Sequence, residues 1–418
     1  MNIGFVSTRF QGTDGVTLEA AKWASVLEEA GHCCFWFSGL SDYPKDRSMV
    51  VPEAFFGHPL SREVDKNLWN REEIPLQTKE RLQEIRTQLY SSLESFGEQF
   101  QLDLVVAQNA LTIPMQVPLG LALADWLRTR EIPAIAHHHD FYWERERFTG
   151  AGVLPYLEEA FPPSLPHLQH VVINSQAAKA LSSRKGLDAT VIPNVMDFSG
   201  TEHKPSLAGS RIREALGYSQ SDRIFLQPTR VVPRKGIEHA IELLARRQDE
   251  NDKLLISHQA GDEGYEYLSF LRRKASASSV DLRCLDDFAD SSVLNLPLWD
   301  LYQISDFVTY PSLYEGFGNA LLEGIAFRKP MLVNRYSVFR EDIEPLGFQF
   351  ALMDEAITSE VLSQVRQLLS DEELRHRCTE KNYALAQEHF GFPLLREKLL
   401  KLVSQSVSPD PGASSVPS

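Results

Sequence analysis

Residues 311–324 read PSLYEGFGNALLEG, and this stretch carries the strongest structural and chemical signal in the chain. It follows a predicted strand at 306–310 and opens a predicted helix. Gly316 and Gly318 allow the connecting loop to approach a ligand closely, because neither residue carries a Cβ atom. The helix start offers unpaired N–H groups and a positive dipole end. The stretch therefore predicts a glycine loop and a helix N-terminus that suit a phosphate group.

Two carboxylates flank this helix start. Glu315 lies on the loop, and Glu323 lies one helical turn beyond Asn319 on the same face. The two side chains can therefore reach opposite ends of one elongated ligand. The alternative interpretation is a strand, a glycine turn and a helix that carries surface glutamates. It accounts for a single carboxylate better than for the whole pattern.

Short apolar runs alternate with helical periodicity along the rest of the chain, which is typical of parallel sheets covered by helices. The predicted strands are 3–7, 32–37, 103–107, 134–138, 171–174, 190–192, 223–227, 253–258, 306–310 and 331–334. The predicted helices are 16–30, 79–100, 237–247, 263–277, 372–388 and 393–403. The pattern predicts an α/β fold with two halves of similar build.

The division between the halves is predicted from a polar segment rich in Gly, Pro and Ser. We expect an N-terminal Rossmann-like domain at 1–198, a linker at 199–210 and a C-terminal Rossmann-like domain at 211–389. A helix at about 390–405 is expected to pack back on the first domain. The Ser- and Pro-rich end, 406–418, is expected to be disordered.

A second motif, TRVVPRKG at residues 229–236, follows the first strand of the second domain. Arg230 and Lys235 can converge on one diphosphate around its Pro-containing turn. Such a pair would stabilise the negative charge of a leaving nucleoside diphosphate. Arg234 is expected to point outward or to be structural. A solvated basic loop is the alternative when this motif is taken alone.

A third motif, His137-His138-His139-Asp140, ends a predicted strand. Successive strand residues point to opposite faces, so only His137 and His139 share one. No further His or Cys ligand set accompanies them, and no metal site is predicted. A satisfied structural histidine is the alternative interpretation for each of the three rings.

Bulk properties exclude several classes of function. The formal net charge of −15 argues against non-specific nucleic-acid binding and against attachment to anionic membrane surfaces. The four cysteines show no metal-ligand spacing and indicate a reduced, cytoplasmic protein. Neither a signal peptide nor an apolar run long enough to span a membrane is predicted, so no integral membrane association is expected.

The first motif resembles the donor motif of the retaining family 4 glycosyltransferases, in which a Glu, seven residues and a second Glu bracket a Gly-Phe-Gly. The resemblance implies the GT-B fold, with two Rossmann-like domains of parallel sheets that face each other across a cleft. By this resemblance Glu315 would hold hydroxyls of the transferred sugar, and Glu323 would hold the ribose hydroxyls. Asn319 and the backbone N–H groups of Gly316, Phe317 and Gly318 would complete the donor-binding set.

The other motifs follow the same resemblance in the expected order. Arg230 and Lys235 would bind the diphosphate, and His139 would lie at the reactive face of the sugar. The turn Gly12-Thr13-Asp14-Gly15 matches the family's glycine-rich loop, although its two glycines are split, and Gly15 would face the donor phosphate. With Glu315, the residues His139, Arg230 and Lys235 form the predicted catalytic set. Asn194, in the segment before the linker, is interpreted as structural.

The acceptor would contact the N-terminal domain. The candidate acceptor-binding residues lie near predicted strand ends and are Arg9, Asp14, Tyr142, Trp143 and Arg145. Aromatic rings can stack on sugar faces, and arginines can clamp a carboxylate or phosphate. We therefore expect a small, polar, anionic acceptor, such as a glycerate-type solute or its glycoside. The alternative is that the aromatics belong to the core and the arginines form surface ion pairs.

The resemblance thus implies a retaining hexosyltransferase that moves mannose or glucose from a nucleotide-sugar such as GDP-mannose or UDP-glucose. No cofactor is expected to be required, Mg²⁺ is at most non-essential, and the enzyme would be a monomer or homodimer. The alternatives are a non-catalytic sugar-nucleotide-binding protein and another GT-B enzyme, such as a sugar-nucleotide epimerase or a phosphorylase. A Rossmann dehydrogenase is disfavoured, because no Gly-x-Gly-x-x-Gly follows a predicted strand.

Overall fold

The computed structural model describes residues 1–12, 14–199, 209–258, 264–288 and 296–407. They form two compact units. The N-terminal unit comprises Met1–Pro193 and the segment that begins at Pro393, and the C-terminal unit comprises Asn194–Phe392. Residues 200–208 of the predicted linker and 408–418 of the predicted tail lie outside the described residues.

The N-terminal unit contains a seven-stranded parallel sheet. Its strands are β1 (Asn2–Val6), β2 (Cys33–Ser38), β3 (Ser48–Val50), β4 (Leu104–Gln108), β5 (Ala134–His138), β6 (Leu168–Val172) and β7 (Ala189–Val191). The strand order is β3-β2-β1-β4-β5-β6-β7. Every residue of β4 and β5 is buried, as expected for central parallel strands whose two faces are both covered by helices.

The helices of this unit are α1 (Gly15–Glu29), α2 (Pro59–Leu68), α3 (Leu76–Phe100), α4 (Val117–Arg130), α5 (Leu154–Ala160) and α6 (Ser175–Lys185). Their starts follow local chemistry. The Asp14 side chain caps α1 by accepting from Val16 N and Thr17 N, both at 3.2 Å. Asn174 caps α6 in the same way, with its Oδ1 accepting from Ala177 N at 2.7 Å.

The C-terminal unit contains a six-stranded parallel sheet in the order β10-β9-β8-β11-β12-β13. These strands are β8 (Arg223–Gln227), β9 (Asp252–Ile256), β10 (Asp281–Cys284), β11 (Phe307–Tyr310), β12 (Met331–Asn334) and β13 (Ala351–Met353). The strand order reverses direction between β8 and β11. In open α/β sheets, ligands bind beyond the carboxyl ends of the strands at such a switch point.

The helices of the C-terminal unit are α7 (Gly209–Ala215), α8 (Ile237–Arg247), α9 (Glu266–Ala277), α10 (Leu298–Ile304), α11 (Asn319–Ala326), α12 (Ser359–Ser370) and α13 (Glu372–Phe390). The last helix, α14 (Phe392–Val407), belongs to the N-terminal unit from Pro393 onward. Lys398 Nζ on this helix donates to the Val191 carbonyl at 2.8 Å, and Arg396 pairs with Glu29. The first two residues of the segment expected to be disordered, 406 and 407, end this helix.

The predicted α/β class is confirmed, because both sheets are parallel and helices alternate with their strands. The bounds of β5, β8, β12 and α8 coincide with the predicted ranges. The short edge strands β3, β10 and β13 were not among the predicted strands. Within the part of the chain that the structure describes, no helix is long and apolar enough to cross a bilayer.

Candidate functional site

The switch point of the C-terminal sheet brings two sequence motifs together. Residues 229–236 follow β8, and residues 311–318 follow β11. The two loops are joined by a hydrogen bond from Leu313 N to the Arg234 carbonyl at 2.9 Å. Gly236 has a φ of 59°, and a Cβ atom at this position would lie 2.5 Å from the Pro311 carbonyl oxygen. The close approach of the loops therefore requires glycine at this position.

A buried ion pair lies where these loops meet. Lys235 Nζ contacts Glu315 Oε1, and the two residues are 8% and 6% exposed. Arg234 Nη1 lies 3.4 Å from Glu315 Oε2 and also reaches the Tyr314 carbonyl. Buried charges are costly unless they are paired and hydrogen-bonded. Thus Glu315 is held as a carboxylate by two cations, one of which is the Arg234 expected to be outward or structural.

The electrostatics of the pair follow from burial and from charge. Burial alone would raise the pKa of the Glu315 carboxyl, but Lys235 and Arg234 outweigh it, and that pKa lies below its ordinary value. Burial lowers the pKa of the Lys235 ammonium, and the charges of Arg234 and Arg230 add to this, against the opposing effect of Glu315. Arg230 itself is exposed on the loop after β8. The loops therefore concentrate positive charge around one ionised carboxylate.

The glycine loop before α11 has a conformation that only glycine adopts readily. Gly318 has a φ of 120°, and a Cβ atom there would lie 2.7 Å from Tyr310 Oη and 2.9 Å from Tyr336 Oη. The Tyr336 hydroxyl donates to the Phe317 carbonyl at 2.6 Å. These tyrosines fix the path of the backbone immediately before the helix.

Helix α11 carries the second carboxylate of the motif. It begins at Asn319, whose Oδ1 accepts from Asn194 Nδ2 at 2.7 Å. Glu323, one turn further on, accepts a hydrogen bond from Tyr302 Oη at 2.9 Å. Tyr302 is fully buried on α10 and stacks on Phe327, with a centroid separation of 5.1 Å. Tyr302 was not predicted from the sequence, since nothing in its local pattern connects it to a residue 21 positions away.

In the N-terminal unit, an Asn organises the end of β5. Asn109 Oδ1 accepts from His139 N at 3.1 Å, and Asn109 Nδ2 donates to Asp140 Oδ1 at 3.2 Å. Asp140 Oδ2 accepts from Arg145 Nε at 2.8 Å. Asn109 was also not predicted from the sequence. Its position just after the predicted strand at 103–107 was the signal available in the sequence. In the structure its φ is 57°, a left-handed conformation that Asn adopts more often than most residues do.

The three histidines separate as strand alternation predicts. The His137 and His139 rings lie 4.4 Å apart, and His137 stacks on Trp23 at 4.2 Å. His138 points elsewhere and contacts Thr112 Oγ1 at 2.5 Å and His170 Nδ1 at 3.0 Å. Within the described ranges, no group of three or more His, Cys, Asp or Glu side chains is arranged to hold a metal ion.

Burial keeps these imidazoles neutral. It lowers the pKa of His139 to about 4, although Asp140 and Asp14 act in the opposite direction. Burial also sets the pKa of His137 and of His138 well below the ordinary value. At neutral pH His139 can therefore donate or accept a hydrogen bond as neutral imidazole, but it does not act as a cation.

The remaining predicted residues of the N-terminal unit lie in its loops. Arg9 Nη2 pairs with Asp14 Oδ2 at 2.9 Å, and Gly15 begins α1, while Thr13 lies outside the described residues. Trp143 is half-buried and stacks on Phe141 at 4.4 Å.

Tyr142 is also half-buried and packs against the main cluster of buried apolar residues. Both aromatic residues thus take part in packing around the loop after β5. In the C-terminal unit the structure thus brings Lys235 into contact with Glu315, and in the N-terminal unit Asn109 and Asp140 connect the backbone of His139 to the side chain of Arg145.

Comparison with known proteins finds a matching family and two similar relatives. Residues 210–385 match the family described as "Glycosyl transferases group 1". The chain is 31% identical to the mannosylglucosylglycerate synthase of Petrotoga mobilis, with 95% of this chain and 100% of the relative covered. It is also 31% identical to the mannosylglucosylglycerate synthase of Thermotoga maritima, with 98% and 100% covered.

Solved structures agree on the architecture. A glycosyltransferase from Rickettsia africae superposes with a TM-score of 0.69 at 15% identity, covering 98% of this chain and 99% of that one. The Anabaena protein HepE, solved with UDP and glucose, superposes with a TM-score of 0.68 at 16% identity, covering 97% and 100%. At this level of identity the likeness concerns the fold alone, which is the predicted GT-B fold.

Proposed function

The chain belongs to the glycosyltransferase family of the two mannosylglucosylglycerate synthases, and from this premise we propose that it is a retaining hexosyltransferase. Its proposed donor is GDP-mannose, and its proposed acceptor is a hydroxyl of a small anionic glycoside of the glucosylglycerate type. The two relatives are named for their product, mannosylglucosylglycerate, and this name supports the choice of sugar and acceptor.

The buried pair of Lys235 and Glu315 carries the donor half of the proposal. An ionised carboxylate with two cations beside it, at the switch point of a parallel sheet, suits a ligand that combines sugar hydroxyls with a diphosphate. Glu315 accepts from hydroxyls of the transferred hexose, and Arg230 and Lys235 bind the diphosphate. These roles also explain why a lysine is kept 8% exposed rather than in solvent.

The rest of the donor site is proposed around α11. Backbone N–H groups of Gly316, Phe317 and Gly318 face the diphosphate or the sugar, and Asn319 begins the helix beside them. Glu323 binds the ribose hydroxyls, held in place by the Tyr302 hydroxyl.

The proposed chemistry takes place on one face of the sugar. The bond between the anomeric carbon and the diphosphate oxygen breaks, and a bond from that carbon to the acceptor oxygen forms on the same face. The leaving phosphate oxygen takes the proton of the acceptor hydroxyl. Arg230 and Lys235 stabilise the negative charge that develops on the leaving group, so Mg²⁺ is proposed to be non-essential.

The N-terminal unit supplies the acceptor half of the proposal. His139, neutral because burial lowers its pKa to about 4, donates a hydrogen bond to the sugar at its reactive face. Gly15 faces the donor phosphate. Arg9, Asp14, Tyr142, Trp143 and Arg145 contact the acceptor.

A donor and acceptor screen tests this function. The purified full-length chain is incubated with GDP-mannose, UDP-glucose or ADP-glucose, with and without glucosylglycerate, and nucleoside diphosphate release is followed. We expect release that requires both GDP-mannose and glucosylglycerate, with a product one hexose heavier than the acceptor. Glu315→Gln serves as the inactive control.

Two other results would replace the proposal. Release at the same rate without any acceptor would indicate hydrolysis of the donor. Binding of a nucleotide-sugar without release under any condition would indicate a non-catalytic sugar-nucleotide-binding protein.

A further inference from the structure

Arg145 and Arg147 lie two positions apart in the loop after β5, but their positive charges are compensated differently. Arg145 Nε lies 2.8 Å from Asp140 Oδ2, and its Nη2 contacts the same oxygen. Asp140 is held in turn by Asn109. The positive charge of Arg145 is therefore neutralised within the protein.

Arg147 has no such partner in the part of the chain that the structure describes. Its guanidinium lies 4.4 Å from the centre of the Phe148 ring, and its Nη2 contacts Met115 Sδ. Among the described residues, no carboxylate lies within ion-pairing distance of it. The side chain is exposed and can be reached by a ligand. In a chain with a net charge of −15, an arginine that folding leaves without a carboxylate calls for a physical reason.

The surroundings of Arg147 are short of negative charge. Partial burial lowers the pKa of its guanidinium, and the nearby charge of Arg145 lowers it further. Asp65 and Asp140 act in the opposite direction but do not compensate these two effects. An anion bound here would remove this imbalance.

The backbone that carries Arg147 is anchored next to it. Phe148 is 4% exposed and packs edge-to-face on Trp69, with centroids 4.9 Å apart. Thr149 Oγ1 donates to Asn70 Oδ1 at 2.7 Å, and Asn70 N donates to the Thr149 carbonyl at 2.7 Å. The backbone next to Arg147 is therefore held in place, which lowers the entropic cost of binding a ligand at its guanidinium.

We propose that Arg147 binds the carboxylate of the acceptor and so makes the enzyme selective for an anionic acceptor over a neutral one. This inference rests on the proposed function and assigns the recognition of charge to one residue. Arg145 has a different role: its charge is already paired with Asp140, so it contacts the acceptor without distinguishing a charged acceptor from a neutral one.

Selectivity between two acceptors that differ only in the carboxylate tests the assignment. Glucosylglycerate and its uncharged analogue glucosylglycerol are compared as acceptors by their kcat/KM values. The enzymes are wild type, Arg147→Ala, Arg147→Lys and Arg145→Ala, with Arg81→Ala as a matched control. Arg81 is an exposed arginine on α3 of the same unit, paired with Glu84 at 2.6 Å.

We expect Arg147→Ala to lower the ratio of the two kcat/KM values by about 10- to 150-fold, the range of a hydrogen bond to a charged group. Arg147→Lys should recover part of the ratio, because it keeps the charge but loses the planar fork. Arg145→Ala should lower both kcat/KM values alike, and Arg81→Ala should leave the ratio unchanged. Thermal unfolding of each variant shows whether it folds like wild type.

A ratio in Arg147→Ala equal to that of wild type would overturn the assignment while leaving the proposed function intact. If wild type transfers to neither acceptor, the proposed function fails instead, and titration with D-glycerate followed by NMR decides about Arg147. If wild type binds D-glycerate and Arg147→Ala does not, a carboxylate-binding site at Arg147 is supported. If wild type does not bind D-glycerate, or if the substitution leaves binding unchanged, the assignment is overturned.

Discussion

Replacement of Lys235 by methionine would remove one half of the buried ion pair. The Glu315 carboxylate, 6% exposed, would keep its contact with Arg234 Nη1 at 3.4 Å. Breaking a buried pair by removing one partner costs about 3–5 kcal/mol. We expect a loss of about 3 kcal/mol, at the lower end, because Arg234 stays in place.

The expected shift in unfolding temperature follows from the size of the unit. For units of about 150–250 residues, which includes Asn194–Phe392, 1 kcal/mol corresponds to about 2–4 °C. Lys235→Met should therefore lower the unfolding temperature of the C-terminal unit by about 6–12 °C. The double variant Lys235→Met, Glu315→Gln should recover at least half of this loss, because it leaves no uncompensated buried charge and Arg234 can be solvated.

Calorimetry of the full-length chain measures these shifts, with Lys381→Met as a control for the loss of an exposed lysine in the same unit. Both variants at Lys235 should be inactive, so that stability and catalysis respond differently to the second substitution. The reasoning fails if Lys235→Met unfolds within about 2 °C of wild type, which is less than 1 kcal/mol. It also fails if the double variant is no more stable than the single one.

Three further predictions concern stability and donor binding. Burial lowers the pKa of His170 to about 4 and that of His138 well below 6.5, so the stability gained by keeping these two rings neutral is fully present above pH 6.5. It should fall by about 1.4 kcal/mol per pH unit for each such histidine as the pH drops from 6.5 towards the folded pKa, measured as urea midpoints at pH 7.5 and 5. Tyr302→Phe removes the hydrogen bond to Glu323 and should raise KM for the donor by about 2- to 10-fold. It should also weaken the preference for ribonucleotides over 2′,3′-dideoxyribonucleotides. Gly318→Ala should lower the free energy of unfolding by at least about 1–3 kcal/mol and abolish donor binding, because a φ of 120° is strained for alanine and its Cβ would meet a tyrosine hydroxyl at 2.7 Å.

Each of these predictions has a result that contradicts it. Equal urea midpoints at pH 7.5 and 5 would exclude the neutral histidines as a source of stability. An unchanged discrimination between ribo- and dideoxyribonucleotides in Tyr302→Phe would mean that this hydroxyl does not position Glu323 for the ribose. Gly347→Ala provides the control for backbone strain alone, since its φ is 88° and the added Cβ would lie 3.8 Å from Lys381 Nζ, an ordinary van der Waals distance. Gly318→Ala should cost more than this control.

The fold could be predicted from the sequence where burial dominates the pattern. Ala134–His138 and Arg223–Gln227 are central parallel strands, so they appear as short apolar runs with clear ends. The edge strands Ser48–Val50 and Ala351–Met353 are three residues long and give too short a pattern. Val117–Arg130 was not predicted as a helix, because its residues are buried almost throughout and show little amphipathic periodicity.

The candidate site was predicted in part. The motifs containing Lys235 and Glu315 could be recognised locally, but their direct contact joins residues 80 positions apart and depends on the strand order of the sheet. The same is true of Tyr302 with Glu323. Arg234 was expected to be outward or structural because a loop sequence does not indicate that two adjacent cations both reach one carboxylate across the switch point.

The configuration of the transferred sugar tests the central claim most directly. The product formed from GDP-mannose and glucosylglycerate is isolated, and the one-bond carbon–proton coupling at its new anomeric centre is measured by NMR. Our account predicts an α-mannoside, with the configuration of the donor retained. A β-mannoside would contradict the proposed same-face reaction at the site of Glu315, Lys235 and Arg230.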